Sequence, residues 1–189
     1  RHWNYSPDGV YPQYRGITTN PCGEIFMQPY DACRLMALNF YTFVDNPFTK
    51  RATVNYQALY EAAYEQQRLA DNLVDLELEK IDRIIAKVKN DPESEMAKAV
   101  ELSLWEKIRN VAASGRRTGC GFTGLGDMIA AMGVDYDSEI GLEIIEKVMK
   151  AKMMGELDCT IDLAALRGHF DGYTHDLEYS DGIGTNDFF

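Results

Sequence analysis

The chain has 189 residues, of which 46% are hydrophobic and 26% charged, a composition typical of a globular domain. Its formal net charge of −11 argues against a nucleic-acid-binding or membrane-binding surface, because phosphate contacts need clustered Lys and Arg. No stretch approaches the ~18 consecutive apolar residues of a membrane span. Since the chain starts at Arg1 and shows no signal pattern, we expect a piece of a longer, soluble cytoplasmic protein.

Changes in composition, together with Gly and Pro residues that interrupt helices and strands, divide the chain into segments. The predicted segments are an irregular lead-in (1–18), a loop with its following element (19–44), a helical pair (55–113), a strand with helices (116–166) and a closing loop (168–189).

The second segment holds the most chemistry. Asn20, Cys22 and Glu24 stand at every second position, with Pro21 and Gly23 between them. In extended backbone such positions face the same side, so an amide, a thiol and a carboxylate would converge on one ligand. The competing interpretation is an ordinary Asn-Pro-Cys-Gly turn with Cys22 buried as a small hydrophobe.

Two helices are predicted from the periodicity of apolar residues. Between residues 55 and 89 they recur at steps of three and four, which indicates a long helix with one face on a core. Asp91 and Pro92 predict the N-cap and first position of a second helix, and Gly115 its end. A short connection predicts an antiparallel pair.

The stretch from Gly119 to Gly124 fits the pattern G-x-G-x-x-G. A dinucleotide site would need a buried strand directly before the first glycine, and here a helix end precedes it. A nucleotide-binding module using these glycines therefore stays an alternative. Ser138 is predicted to cap a final helix that runs, with one interruption, to about Leu166.

The four cysteines and three histidines lack the spacing of metal ligands, so we predict no metal site. Cys120 and Cys159 are expected to be buried thiols. Arg116 and Arg117 are expected to be structural ion-pair partners.

The string Asn-Pro-Cys-Gly-Glu-Ile at 20–25, with Cys33 downstream and the Asn39-Phe40 pair after it, resembles the finger loop of ribonucleotide reductase catalytic subunits. The Pro-Cys-Gly-Glu form is most similar to the adenosylcobalamin-dependent class, and the resemblance continues through Arg116–Met128. It implies an α/β fold: a helix-rich, central part of one catalytic domain, a ten-stranded α/β barrel around the finger loop. The strand would be 118–122, followed by a helix at 125–132.

The resemblance also implies roles for four residues. Cys22 matches the cysteine that becomes a thiyl radical, and Glu24 the general base for the 3′-hydroxyl. Asn20 matches the amide that positions the substrate. Cys33 matches one of two reducing thiols, whose partner in the family lies upstream of Arg1. The Cys22 and Cys33 sulfur atoms would then lie close together.

The implied activity is the reduction of ribonucleoside di- or triphosphates to deoxyribonucleotides for DNA replication. The cofactor would be adenosylcobalamin, whose deoxyadenosyl radical oxidises Cys22, although no residue of the chain is assigned to hold it. The implied partners are the rest of the catalytic subunit and an external dithiol such as thioredoxin, and a homodimer stays open. The chain by itself is expected to be inactive.

Two further alternatives remain. One is a reductase whose radical comes from a separate diiron subunit, which the Pro-Cys-Gly form disfavours. The other is an acidic helical interaction module without catalysis, which predicts that Cys22 is buried.

Overall fold

The computed structural model describes residues 18–23 and 25–173, and the fold in this part mixes helices with short strands. The strands are β1 (Thr18–Thr19), β2 (Phe26–Met27), β3 (Arg34–Asn39), β4 (Val44–Asp45), β5 (Thr53–Val54) and β6 (Thr118–Thr123). The helices are α1 (Tyr56–Lys89), α2 (Glu95–Gly115), α3 (Leu125–Ala131) and α4 (Glu139–Arg167), with a 3₁₀ turn at Phe40–Phe43. The predicted lead-in, 1–18, lies outside the described residues except for Thr18.

The described strands form three two-stranded sheets. β1 pairs with β2 and β4 with β5, each antiparallel, whereas β3 and β6 are parallel, with Arg34 opposite Thr118 and Asn39 opposite Thr123. Parallel partners need a long crossover, and here helices α1 and α2 lie between β3 and β6 in the chain. The predicted strand at 118–122 is confirmed, and it places Gly119 and Gly121 inside a strand, while Gly124 is the N-cap of α3.

Contacts divide the chain into two compact units. Among the described residues, one comprises 18–23, 25–32, 76–117 and 170–173, and the other comprises 33–75 and 118–169. Helix α1 contributes its first part to the second unit and its last part to the first unit.

The core of the unit formed by 33–75 and 118–169 lies beside β3, the 3₁₀ turn and α3. Phe40 is fully buried at its centre, and its ring stacks on that of Phe122 at a centroid distance of 4.7 Å. The other buried members of this core are Val44, Val54, Leu59, Met128, Ala131 and Val148.

Helix α1 matches the predicted helix, and so does α3 followed by Gly133 at φ 71°. The predicted start of α2 was wrong. Its N-cap is Ser94, whose side chain accepts a hydrogen bond from the backbone N–H of Ala97, while the backbone N–H of Asp91 donates to Val88 and finishes the end of α1. The exposed Arg109–Asp82 ion pair links α2 to α1.

The Ser138 cap of α4 is confirmed, because its side chain accepts a hydrogen bond from Gly141 N–H. The predicted interruption is absent, since α4 runs unbroken from Glu139 to Arg167. No helix among the described residues is both long and apolar enough to cross a membrane.

Candidate functional site

Residues 18–27 form a hairpin whose tip carries the Asn-Pro-Cys-Gly string. Thr18 and Thr19 pair with Met27 and Phe26. Asn20 closes the hairpin: its backbone N–H donates to the carbonyl of Ile25 at 3.0 Å, and its side-chain Oδ1 accepts from Ile25 N–H at 3.3 Å. The tip is thus held by both the backbone and the side chain of one asparagine.

The backbone between Asn20 and Gly23 turns rather than extending. Gly23 N–H donates to the Asn20 carbonyl at 3.0 Å, and Gly23 has a φ of 77°, which suits glycine. The expectation of extended backbone was therefore wrong here, because Asn, Pro and Gly together favour a closed turn. Cys22 lies within this turn and is exposed.

Glu24 lies outside the described residues. Its role, and the convergence of Asn20, Cys22 and Glu24, therefore stay predictions. The approach of the Cys22 and Cys33 sulfur atoms also stays a prediction.

Cys33 directly precedes β3, and the residues before it are fixed by a buried ion pair. The Asp31 carboxylate, 1% exposed, accepts hydrogen bonds from Arg117 Nε at 2.7 Å and from Ala32 N–H at 2.8 Å. A buried, charge-assisted hydrogen bond of this kind holds the segment before Cys33 and the segment before β6 in one arrangement. The predicted ion-pair role of Arg117 is confirmed.

Cys120 and Cys159 occupy environments that keep their thiols protonated. The Cys120 thiol, half-buried in β6, donates to Gln67 Oε1 at 3.1 Å, and burial together with the charge of Glu156 raises its pKa to about 11. Cys159 on α4 is fully buried, and burial raises its pKa as well. The expectation of a buried thiol is confirmed for Cys159, while Cys120 keeps some exposure.

The sequence matches the family of the ribonucleotide reductase barrel domain over residues 16–189. That range includes the hairpin, both parallel strands and all four helices. The chain belongs to this family.

Similar proteins with known names agree with the family. Over 156 residues the chain is 27% identical to proteins named vitamin B12-dependent ribonucleoside-diphosphate reductase from two strains of Mycobacterium tuberculosis, which is 82% of this chain. It is 26% identical over 132 residues, 70% of the chain, to a protein of the same name from Thermoplasma acidophilum. The match spans 18% of the length of the first two relatives and 14% of the third.

Sequence analysis missed two polar residues that brace the parallel strands of this reductase-family domain. Gln66 on α1 is 2% exposed, and its Nε2 donates to the carbonyls of Met36 at 2.7 Å and Gly121 at 3.0 Å. Lys152 on α4 is 5% exposed; it donates to the Cys120 carbonyl at 2.8 Å and pairs with Glu156. Gln66 thus links α1 to both strands, and Lys152 links α4 to β6.

A signal for Gln66 exists in the sequence. It falls three residues after Ala63 and four before Ala70, both fully buried, and thus occupies a core position of the helical repeat. A polar side chain at such a position indicates that it satisfies a buried polar group.

The described part of this barrel-domain chain contains no group of three or more His, Cys, Asp or Glu side chains arranged to hold a metal ion.

Proposed function

We propose that this chain is the part of a ribonucleotide reductase that carries the radical cysteine, and that the whole protein converts ribonucleotides to 2′-deoxyribonucleotides. One observation carries the proposal: in a chain of the reductase barrel family, Cys22 is exposed within the turn of a closed hairpin. The interaction-module hypothesis required Cys22 to be buried. An exposed thiol at a fixed position suits a group that must meet both a radical and a substrate.

Cys22 is proposed to start and finish the reaction. As a thiyl radical its sulfur takes the hydrogen atom from C3′ of the ribose, which gives a thiol and a carbon radical. After reduction at C2′ the same hydrogen atom returns to C3′, so that Cys22 ends as the radical it began as. The hairpin hydrogen bonds made by Asn20 keep this sulfur in place during both transfers.

Glu24 and Cys33 are proposed to complete the chemistry. Glu24 accepts the 3′-hydroxyl proton as general base, and the C2′ hydroxyl leaves as water. Cys33 and a second thiol supply two electrons and two protons, and they end as a disulfide. An external dithiol such as thioredoxin reduces this disulfide, so one dithiol is consumed for each deoxyribonucleotide and each water formed.

Asn20 is proposed to position the substrate. A carboxamide can donate and accept at once, and its Oδ1 already accepts from Ile25 N–H. The same side chain would thus fix the turn through its oxygen and offer donors to the ribose through its nitrogen.

The names of the relatives favour adenosylcobalamin as the cofactor. When bound, this cofactor supplies a carbon-centred radical that can take a hydrogen atom from a thiol. Cys22 fits such a donor, because a bulky group can reach only a thiol that is exposed, as this one is. The chain supplies the sulfur atom, and the remainder of the catalytic subunit is proposed to complete the site.

The test is an assay of ribonucleotide reduction by the full-length parent protein with adenosylcobalamin and a dithiol. We expect Cys22→Ser to lose turnover by a factor of about 10⁴ or more, since a serine O–H bond is too strong for reversible hydrogen transfer. Cys120→Ser is the matched control, because serine keeps a donor for Gln67, and it should stay within about threefold of wild type.

Three outcomes contradict the proposal in different ways. Equal turnover in Cys22→Ser and wild type would remove the radical role of Cys22. Turnover that needs an iron-containing partner protein instead of cobalamin would keep the assigned site residues but would show that the cofactor assignment is wrong. No turnover by wild type under either condition would contradict the proposed activity itself.

A further inference from the structure

The parallel pairing of β3 with β6 brings a glycine against the Cys33 thiol. Gly119 lies opposite Leu35 in the register, two residues beyond Cys33. A Cβ atom built on Gly119 would lie 2.6 Å from Leu35 Cδ2 and closer still to Cys33 Sγ. Non-bonded atoms do not approach so closely, so any side chain at position 119 would have to move both of its neighbours.

The two neighbours differ in how they can respond. Leu35 is 66% exposed, so its end can swing into solvent at little cost. Cys33 Sγ is one bond from Cβ and can move away only by changing χ1. A jump of about 120° between staggered rotamers would shift the sulfur by roughly 3 Å. The nearest backbone atom, the Arg34 carbonyl oxygen, is 3.6 Å away, an ordinary contact that lets the strand pairing persist.

We propose that Gly119 is a positioning residue for reduction: it leaves the space that sets the direction of the Cys33 thiol. This inference rests on the proposed function for its catalytic consequence. The Asp31–Arg117 pair fixes the residues before Cys33, and Gly119 then decides where its sulfur points. The glycine is required by the reducing thiol it faces and not by a phosphate-binding turn.

The same strand offers a matched control. Gly121 lies two residues further along β6, on the same face, and a Cβ there would meet only the Met36 carbonyl oxygen, at 3.7 Å. Gly121→Ala therefore adds the same methyl group to the same strand without displacing a side chain.

The experiment compares Gly119→Ala with Gly121→Ala in the full-length parent protein. The first readout is the alkylation rate of Cys33 by iodoacetamide, measured by peptide mass spectrometry relative to the exposed Cys22. Because a rotamer change alters the solvent access of the thiol, we expect Gly119→Ala to change the alkylation rate of Cys33 by about threefold or more. Gly121→Ala should leave this rate within about 1.5-fold of wild type.

The second readout is steady-state turnover with a dithiol. A misplaced reducing thiol should lower kcat by roughly 10- to 100-fold with an unchanged KM for the nucleotide, because binding precedes reduction. Gly121→Ala should keep the wild-type kcat. The third readout guards against simple destabilisation: the fall in Tm caused by Gly119→Ala should shrink in a Cys33→Ala background, where the sulfur is gone.

Unchanged Cys33 alkylation in Gly119→Ala, equal changes in both glycine variants, or a Tm loss that Cys33→Ala does not reduce would each overturn the inference. If the wild-type protein shows no turnover, the proposed function is contradicted instead. The alkylation and Tm comparisons would still decide whether Gly119 directs the thiol.

Discussion

The four cysteines occupy four environments, and burial and hydrogen bonding separate their chemistry. Cys22 is exposed in a hairpin turn, Cys33 is half-buried beside Gly119, Cys120 donates to Gln67, and Cys159 is fully buried on α4. A thiol is reactive when it is reachable and can lose its proton or hydrogen atom. The raised pKa values of Cys120 and Cys159 therefore indicate structural thiols.

The pKa of Cys120 predicts a loss of stability at high pH. Its value rises from 9.0 in the unfolded chain to about 11 in the fold, so the unfolded thiol loses its proton first. The stabilisation is present below pH 9 and is lost as the pH rises towards 11. We expect the free energy of unfolding, measured by urea denaturation, to fall in this window by up to about 2 kcal/mol from this group.

Cys120→Ser is the control for this prediction, since serine keeps the donor to Gln67 but does not titrate. Tyr60 and Tyr64 also have raised pKa values, through hydrogen bonds to Asp158 and Asp162, and they contribute equally to both proteins. Identical pH profiles for wild type and Cys120→Ser would contradict the assignment.

At the scale of elements, α1 and α4 approach closely at one glycine. A Cβ on Gly155 would lie 3.0 Å from the Tyr64 backbone nitrogen and closer still to the Tyr60 carbonyl oxygen. Beside this contact, the Tyr60 and Tyr64 hydroxyls donate to Asp158 and Asp162. The two helices can pack in this way only because position 155 has no side chain.

Gly155→Ala is therefore expected to lower the free energy of unfolding by about 2–3 kcal/mol, because backbone cannot give way as a flexible side chain can. Urea denaturation of the protein measures this change. Gly126→Ala is the matched control: this glycine is exposed in α3 and a Cβ there would meet nothing within 4 Å.

Gly126→Ala should raise the free energy of unfolding by about 0.5 kcal/mol, because alanine has a better helix propensity than glycine. Equal effects of the two substitutions would show that helix propensity, and not the approach of α1 to α4, sets the cost at Gly155.

At the scale of the whole molecule, the net charge of −11 opposes contact with polyanions. Several of the described basic residues pair with acids, as in the Arg117–Asp31, Arg167–Asp71 and Lys147–Glu143 pairs. Charged pairs of this kind leave little positive potential for phosphate backbones.

We therefore expect no binding to duplex DNA at physiological salt, with a dissociation constant weaker than about 10⁻⁴ M, the upper end of the non-specific range. Fluorescence anisotropy of a labelled duplex measures it, with a basic DNA-binding protein as positive control. Salt-sensitive binding in the micromolar range would contradict this prediction and reveal a basic surface that the pairs above do not suggest.

Several local elements could be predicted from the sequence. Periodic apolar residues predicted α1, the Ser138 cap predicted the start of α4, and the Asn, Pro and Gly around Cys22 predicted a loop. These features depend on neighbours within a few residues, where propensity, capping and turn formation act. The same local rules placed the start of α2 at Asp91, three residues before its N-cap at Ser94.

Contacts between residues far apart in the chain depend on the tertiary structure. The parallel register of β3 with β6 joins residues more than eighty positions apart, and it alone sets Gly119 against Cys33. The pairing of these strands also brings the carbonyls of Met36 and Gly121 within hydrogen-bonding distance of Gln66. In the same way, the packing of α4 against α1 accommodates Gly155 within an unbroken helix. Such contacts depend on packing and strand pairing across the chain, which no local pattern encodes.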